Sequence, residues 1–408
     1  FYLGESLYWQ GEYADARAEY EALVAADPAG EWADRGRYHI GWTHFAAAQA
    51  GDAEAAAEDF ANAIRAWRAL SDEDGGTGVY AAQALYDVGV AQLNMKDHDD
   101  AIQTFLRVVS RFPESEWADD ARYRVAWAHY AQEEYDEARR VFDEFLLRHP
   151  GSELAPEAIF HKGTCQFRAA RYYEAIAEYV RVSEQYPTAM LTGAAQDGLG
   201  IHIREEALYQ IGESYYNLGD YDEAVAAYER LQDLYPKSAL ADDAQYAIAT
   251  AYQLQERPEA ALAAYESVAA KYPASDLAPE ALHMVGVQHF DRGNFQEAIA
   301  EFQRVVTRYQ DADAAPRAQY DIGRSYYRLR SHEHAVRACD KAAAHGAAED
   351  DLKASATYLA AWILRDEGHP GRDLAAAAER LRSLVATYPQ AAEAPRAYLL
   401  LAELHREQ

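Results

Sequence analysis

Small and aromatic positions follow one another along this chain in a fixed rhythm. A small residue is followed twelve positions later by Ala, and four positions after that by an aromatic residue. The small residues are Gly4, Gly41, Gly89, Ala126, Gly163, Gly212, Ala249, Gly286, Gly323 and Ala361. The matching alanines are Ala16, Ala56, Ala101, Ala138, Ala175, Ala224, Ala261, Ala298, Ala335 and Ala377. Two units need an insertion, since Gly41 to Ala56 is three residues too long and Ala361 to Ala377 four too long. The residue four after each alanine is Tyr20, Phe60, Phe105, Phe142, Tyr179, Tyr228, Tyr265, Phe302, Cys339 or Leu381. Such a rhythm predicts pairs of helices. The small residue lets helix A approach helix B, the alanine does so from the other side, and the aromatic ring fills the space between repeats. A proline closes seven units, for example Pro113, Pro150, Pro236 and Pro273. Lacking an amide hydrogen and clashing with a preceding carbonyl, it stops helix B. Gly219 and Gly293 stand where helix A ends, a place that favours the left-handed conformation.

The combined pattern resembles the tetratricopeptide repeat, whose signature is Trp-x2-Leu-Gly-x2-Tyr followed by Ala, Phe and Pro. The resemblance covers nearly the whole chain, although the opening tryptophan is missing from most units and the proline is absent near Ala347. It implies an all-α, right-handed superhelical solenoid of about ten repeats with a partial eleventh. Successive small residues from Gly212 to Gly323 are 37 apart, against a usual period of about 34. The surplus falls between helices B and A, in joints such as Tyr235-Pro236-Lys237-Ser238 and Tyr272-Pro273-Ala274-Ser275. This joint resembles bacterial cell-envelope proteins of the same repeat, of the Tol-Pal coordinator or outer-membrane barrel-assembly lipoprotein type. That resemblance implies a periplasmic or outer-membrane-associated location.

Two interruptions set the domain organisation. Residues 71–78 read as a solvated loop. Residues 188–203, with Thr192-Gly193 and Asp197-Gly198-Leu199-Gly200, read as an inserted loop or short helix. They divide the chain into repeats 1–5 (1–187) and repeats 6–10 with a C-terminal half repeat (204–408). The chain opens at Phe1, without Met and within a helical pattern, as a processed chain or an excerpt would.

Charge narrows the partners. With 68 acidic and 38 basic residues the net charge is -30, which repels phosphate backbones and argues against nucleic acid. The acidity fits either a basic protein partner or a biased genome and habitat. No run of 18 or more apolar residues occurs, so no segment is expected to span a bilayer. Cys165 and Cys339 lie in different repeats and build no disulfide or metal framework. His332-Glu333-His334 is the nearest approach to a metal cluster, but on a helix its histidines face different directions. No phosphate loop, zinc-protease motif or nucleophile elbow is present. No catalytic residue, metal or cofactor is expected.

One further position recurs. Three residues before each small residue stands Phe1, Tyr38, Tyr86, Tyr123, Phe160, Tyr209, Tyr246, His283, Tyr320 or Tyr358, aromatic or His in all ten units. The repeat family lines its concave groove with helix A, so Tyr86, Tyr123, Phe160, Tyr209, Tyr246 and Tyr320 become candidate partner contacts. Aromatic rings bring large contact area at small rotamer cost. The alternative is that they pack against the neighbouring repeat. The leading expectation is therefore a protein-binding adaptor of a bacterial envelope complex. A structural subunit stacking through open solenoid ends is the alternative, and a regulatory arm of an enzyme the least favoured.

Overall fold

A computed structural model describes residues 1–51, 53–72, 78–191, 202–366, 368 and 371–407. Among them are 21 α-helices and, beyond an isolated antiparallel bridge between Met190 and His202, no β-structure. The chain forms two compact units, Phe1–Asn217 and Leu218–Gln408.

The first five helix pairs are α1 (Tyr2–Trp9) with α2 (Tyr13–Ala26), α3 (Ala33–Ala50) with α4 (Ala53–Asp72), and α5 (Ala81–Asn94) with α6 (His98–Arg111). They continue as α7 (Trp117–Ala131) with α8 (Tyr135–Arg148) and α9 (Ala155–Arg168) with α10 (Tyr172–Gln185). The sixth repeat supplies α11 (Ile203–Leu218) and α12 (Tyr221–Leu234). Then come α13 (Ala241–Leu254), α14 (Pro258–Lys271), α15 (Ala278–Asp291), α16 (Phe295–Arg308), α17 (Ala314–Arg328) and α18 (His332–Ala343). The last are α19 (Asp350–Arg365), α20 (Leu374–Thr387) and the unpaired α21 (Ala394–Glu407). The helices follow the rhythm of the sequence, two to each of its ten units, with α21 in addition.

The interior explains that rhythm. A Cβ added to Gly89 would lie 2.6 Å from the Phe105 ring, and one on Gly286 2.5 Å from Phe302. Nothing larger than hydrogen fits there. Ala101, Ala138, Ala175, Ala224, Ala261 and Ala298 are fully buried beside these contacts. Burying each phenylalanine or tyrosine of this set contributes roughly 1.5–3 kcal/mol. Cys339 fills the aromatic slot opposite Gly323, and Leu381 the same slot in the tenth repeat.

The second repeat corrects the sequence register. The ring packed against Gly41 is Trp67, not Phe60. Ala63, four residues before it, is fully buried, whereas Ala56 is only half-buried. The additional residues do not form a loop. They lengthen α3 to 18 and α4 to 20 residues, where most helices of the chain have 14. Phe45 and Phe60, 5.4 Å apart, pack the lengthened part.

Turns and joints have local causes. Gly11, Gly219 and Gly293 adopt φ near +80°, and Lys96, Glu133, Ala170, Glu256 and Arg330 hold the same turn position at φ 56–63°. At the joints, the Ser238 amide donates to the Tyr235 carbonyl (2.9 Å) and the Ser275 amide to the Tyr272 carbonyl (3.0 Å). Tyr-Pro-x-Ser is thus a β-turn with Pro at its favoured second position. The serine Oγ then accepts from the amide two residues on, at 2.9 Å for Leu240 and 3.0 Å for Leu277. Of the expected loop 71–78, residues 73–77 lie outside the described residues, as do 192–201 of the insertion 188–203. The ends of that insertion meet, with the Ile203 amide donating to the Ala189 carbonyl at 2.9 Å.

Candidate partner-binding cleft

The aromatic row on helix A does not stand free. Tyr86, Tyr123 and Phe160 are buried, and Tyr209, Tyr246 and Tyr320 are half-buried. The Tyr123 ring lies 5.7 Å from Phe142 of its own repeat. Phe160 sits 5.3 Å from Tyr179, and Tyr246 5.4 Å from Tyr265. Of the six expected contacts, three are thus packed into the interior and three keep part of their surface in solvent. Tyr86, Tyr123, Phe160 and Tyr246 reach the helix-B aromatic behind them, where ring surface leaves water.

Their polar ends reach the next repeat. The Tyr38 hydroxyl donates to Asp87 at 2.6 Å, and the Tyr123 hydroxyl to Glu157 at 3.1 Å. Arg124 donates from Nε to the Tyr86 hydroxyl at 3.1 Å, and His283 Nε2 lies 2.9 Å from Asp321. Asp87, Arg124 and Asp321 each stand two residues before a small residue of the rhythm. At Tyr38, Tyr86, Tyr123 and His283 these bonds tie consecutive repeats and help fix their register. Asp87 is 4% exposed. Burial pushes its carboxyl up to about 7, while its bond from Tyr38 acts in the opposite sense. The same burial raises the Tyr38 phenol.

Between these ties α5, α7 and α9 leave a cleft of about 170 Å³. Tyr86, Tyr123, Trp127, Leu154 and His161 line it, together with Asp120, Arg124 and Glu157. Trp127 meets His161 edge-on at 4.5 Å and Tyr130 at 5.3 Å. Burial pushes His161 down to about 4, so its imidazole is neutral at neutral pH. Burial and then Asp119 raise the Asp120 carboxyl. The cleft thus combines aromatic walls, two carboxyl groups, one guanidinium and a neutral imidazole in a space that suits one side chain of a partner. Trp127 and His161 were not among the residues expected from the sequence. A signal existed: Trp42, Trp127 and Trp362 all follow a small residue of the rhythm directly.

The other candidate chemistry resolves into packing. Cys165 and Cys339 are fully buried, and burial pushes both thiols up to about 12. His332 is buried and His334 exposed, so the two histidines point apart. Among the described residues no group of three or more His, Cys, Asp or Glu is placed to hold a metal ion. No helix among them is long and apolar enough to cross a membrane.

Residues 80–189 match the profile of an outer membrane lipoprotein family. Residues 1–29, 206–238, 243–275 and 286–351 match tetratricopeptide repeat profiles. No curated protein matches the chain. Among solved structures, the C-terminal part of a TPR repeat-containing protein from Cytophaga hutchinsonii aligns at 14% identity with a TM-score of 0.51. That alignment covers 66% of this chain and 98% of the other. A tetratricopeptide repeat protein from Parabacteroides merdae aligns at 15% identity and TM-score 0.41, covering 68% of this chain and 98% of that one.

Proposed function

The chain is a tetratricopeptide-repeat protein, and from that premise we propose that it is a non-catalytic scaffold gripping a segment of a partner protein in the cleft of α5, α7 and α9. The observation that carries this reading is a coincidence of place. The cleft residues from Tyr86 to His161 fall within 80–189, the segment similar to outer membrane lipoproteins. That similarity supports membership of an envelope-associated complex in a bacterium. Asp120 and Glu157 beside aromatic walls suit a basic side chain of the partner, in keeping with the net charge of -30. Within the aromatic row, Tyr86 and Tyr123 serve as walls. Tyr209, Tyr246 and Tyr320, each half-buried, are further candidate contacts, and Phe160 is buried.

The test is affinity for a partner co-purified from native membranes. Trp127→Ala is expected to weaken binding by about 2 kcal/mol or more, as central aromatic anchors do, while the protein stays folded and loses less stability than a fully buried tryptophan would cost. Unchanged affinity in a folded Trp127→Ala protein contradicts the proposal.

A further inference from the structure

A cavity of opposite character lies between the eighth and ninth repeats, where α16, α17 and α18 enclose about 460 Å³. Its floor is apolar, made by Val306, Ile322 and Ala338. Ile322 and Ala338 are 4% and 5% exposed. Its rim is basic. His334, Arg337 and Lys341 follow at three and four residues along α18 and so share one face of that helix. The remaining lining is uncharged: Gln303 and Thr307 of α16, and Gln319 and Tyr326 of α17. No carboxylate lines it, although the chain has 68 acidic residues to 38 basic.

The nearby acids are committed elsewhere or stand in solvent. Asp340 pairs with Arg380 at 2.9 Å, and Asp321 with His283 and Arg324 at 2.9 and 2.7 Å. Glu333 approaches Arg337 at 3.4 Å with both side chains mostly exposed, a contact that water and salt weaken. Residues 314–345 hold six arginines and lysines and three acidic residues, Asp321, Glu333 and Asp340; of the six, Arg317 and Arg330 also pair with Glu280 and Asp366 outside the segment. The ninth repeat is therefore locally cationic within a chain of net charge -30.

We propose that this cavity binds an acidic peptide segment of a partner protein. An apolar side chain of the segment rests on Val306, Ile322 and Ala338, and flanking carboxylates meet Arg337 and Lys341. Arg337 can present its planar fork to a carboxylate, whereas Lys341 supplies a mobile point charge. The apolar floor decides for a peptide over a free inorganic anion, which would leave that floor uncovered and needs donors converging on it from several sides. The inference goes beyond the scaffold reading above. It concerns different helices and a ligand of opposite sign, and either can fail alone.

The experiment is selection of random peptides displayed on phage against the full chain, with counter-selection on the Arg337→Glu/Lys341→Glu protein. Enriched peptides are expected to carry Asp or Glu beside a large apolar residue. They should bind the double variant at least about tenfold more weakly, the size of effect seen when interfacial charges are reversed. Arg337→Gln/Lys341→Gln should give an intermediate loss, and Trp127→Ala none. Thermal melts of both double variants should overlay the parent, because the altered side chains are exposed. Three results overturn the inference: no peptide distinguishes the parent from the double variant, the distinguishing peptides lack acidic residues, or inorganic phosphate displaces them where sodium chloride of equal ionic strength does not. Peptides lost on Trp127→Ala but kept by the charge variants would support the α5–α7–α9 cleft and overturn only the present inference.

Discussion

The cleft of α5, α7 and α9 and the cavity of α16, α17 and α18 are built on one interior plan but offer opposite chemistry. In both places a glycine of helix A meets a helix-B aromatic, Gly89 with Phe105 and Gly286 with Phe302. Around the first stand two carboxyl groups, the guanidinium of Arg124, a neutral histidine and a tryptophan. Around the second stand an arginine, a lysine and a histidine over an apolar floor. Residues in the interior slots set the fold, and the side chains around them set the site. The same division appears at a single position. Asp87 accepts from Tyr38 in a buried contact, whereas the equivalent Asp321 meets both His283 and Arg324.

The largest expected effect tests the interior plan. Trp67→Ala removes a fully buried ring opposite Gly41 and is expected to cost about 3–5 kcal/mol in urea unfolding. Phe60→Ala, in the lengthened part of the second repeat, should cost clearly less. Equal losses would restore Phe60 to the register that the sequence suggests.

The two aspartates sharpen the comparison through pH. Asp87 ionises at about 7 in the folded chain, above its unfolded value of 3.8. The unfolded state therefore binds fewer protons between these values, and stability falls as pH rises from about 4 to about 7. The span is on the order of a few kcal/mol. Asp87→Asn keeps an acceptor for Tyr38 and should remove this slope relative to the parent chain, so that the difference between the two melting profiles grows toward pH 7. Parallel profiles would show that Asp87 stays ionised.

Smaller effects follow. Ala224→Leu overpacks a fully buried contact and should cost roughly 1–3 kcal/mol, seen as a lower melting temperature. Arg330→Gly relieves a left-handed residue at φ 60° and should stabilise by about 1 kcal/mol. Gly293→Ala, at φ 81°, should do the reverse.

Much of the fold was legible because interior slots demand particular sizes. Gly4, Gly89, Gly163 and Gly286 announce close approach, and Tyr20, Phe105, Tyr179 and Phe302 the rings that require it. The second repeat misled because its extra residues are helical and alanine-rich, so Ala56 and Phe60 satisfy the same pattern one stretch too early. The sites were harder to see. An aromatic residue at a fixed spacing identifies a helix face, but whether its ring turns inward depends on what stands behind it. Tyr123 packs against Phe142 and offers only part of its ring to the cleft, while Trp127, four residues on, lines it too. The tryptophans directly after Gly41, Ala126 and Ala361 carried that information in the sequence. The basic rim at Arg337 and Lys341 was hidden by the chain's total charge, which averages over a locally cationic repeat.

The central claim, that a partner is held in the cleft of α5, α7 and α9, is tested most directly by site-specific photo-cross-linking. Benzoylphenylalanine is placed at position 127 in the cleft and, separately, at Leu147, which is 82% exposed on α8. Irradiation of native membranes containing each protein should yield a discrete partner adduct from position 127, lost when Glu157→Lys is added, and none from position 147. The same adduct from both positions, or an adduct from 147 alone, would contradict the account.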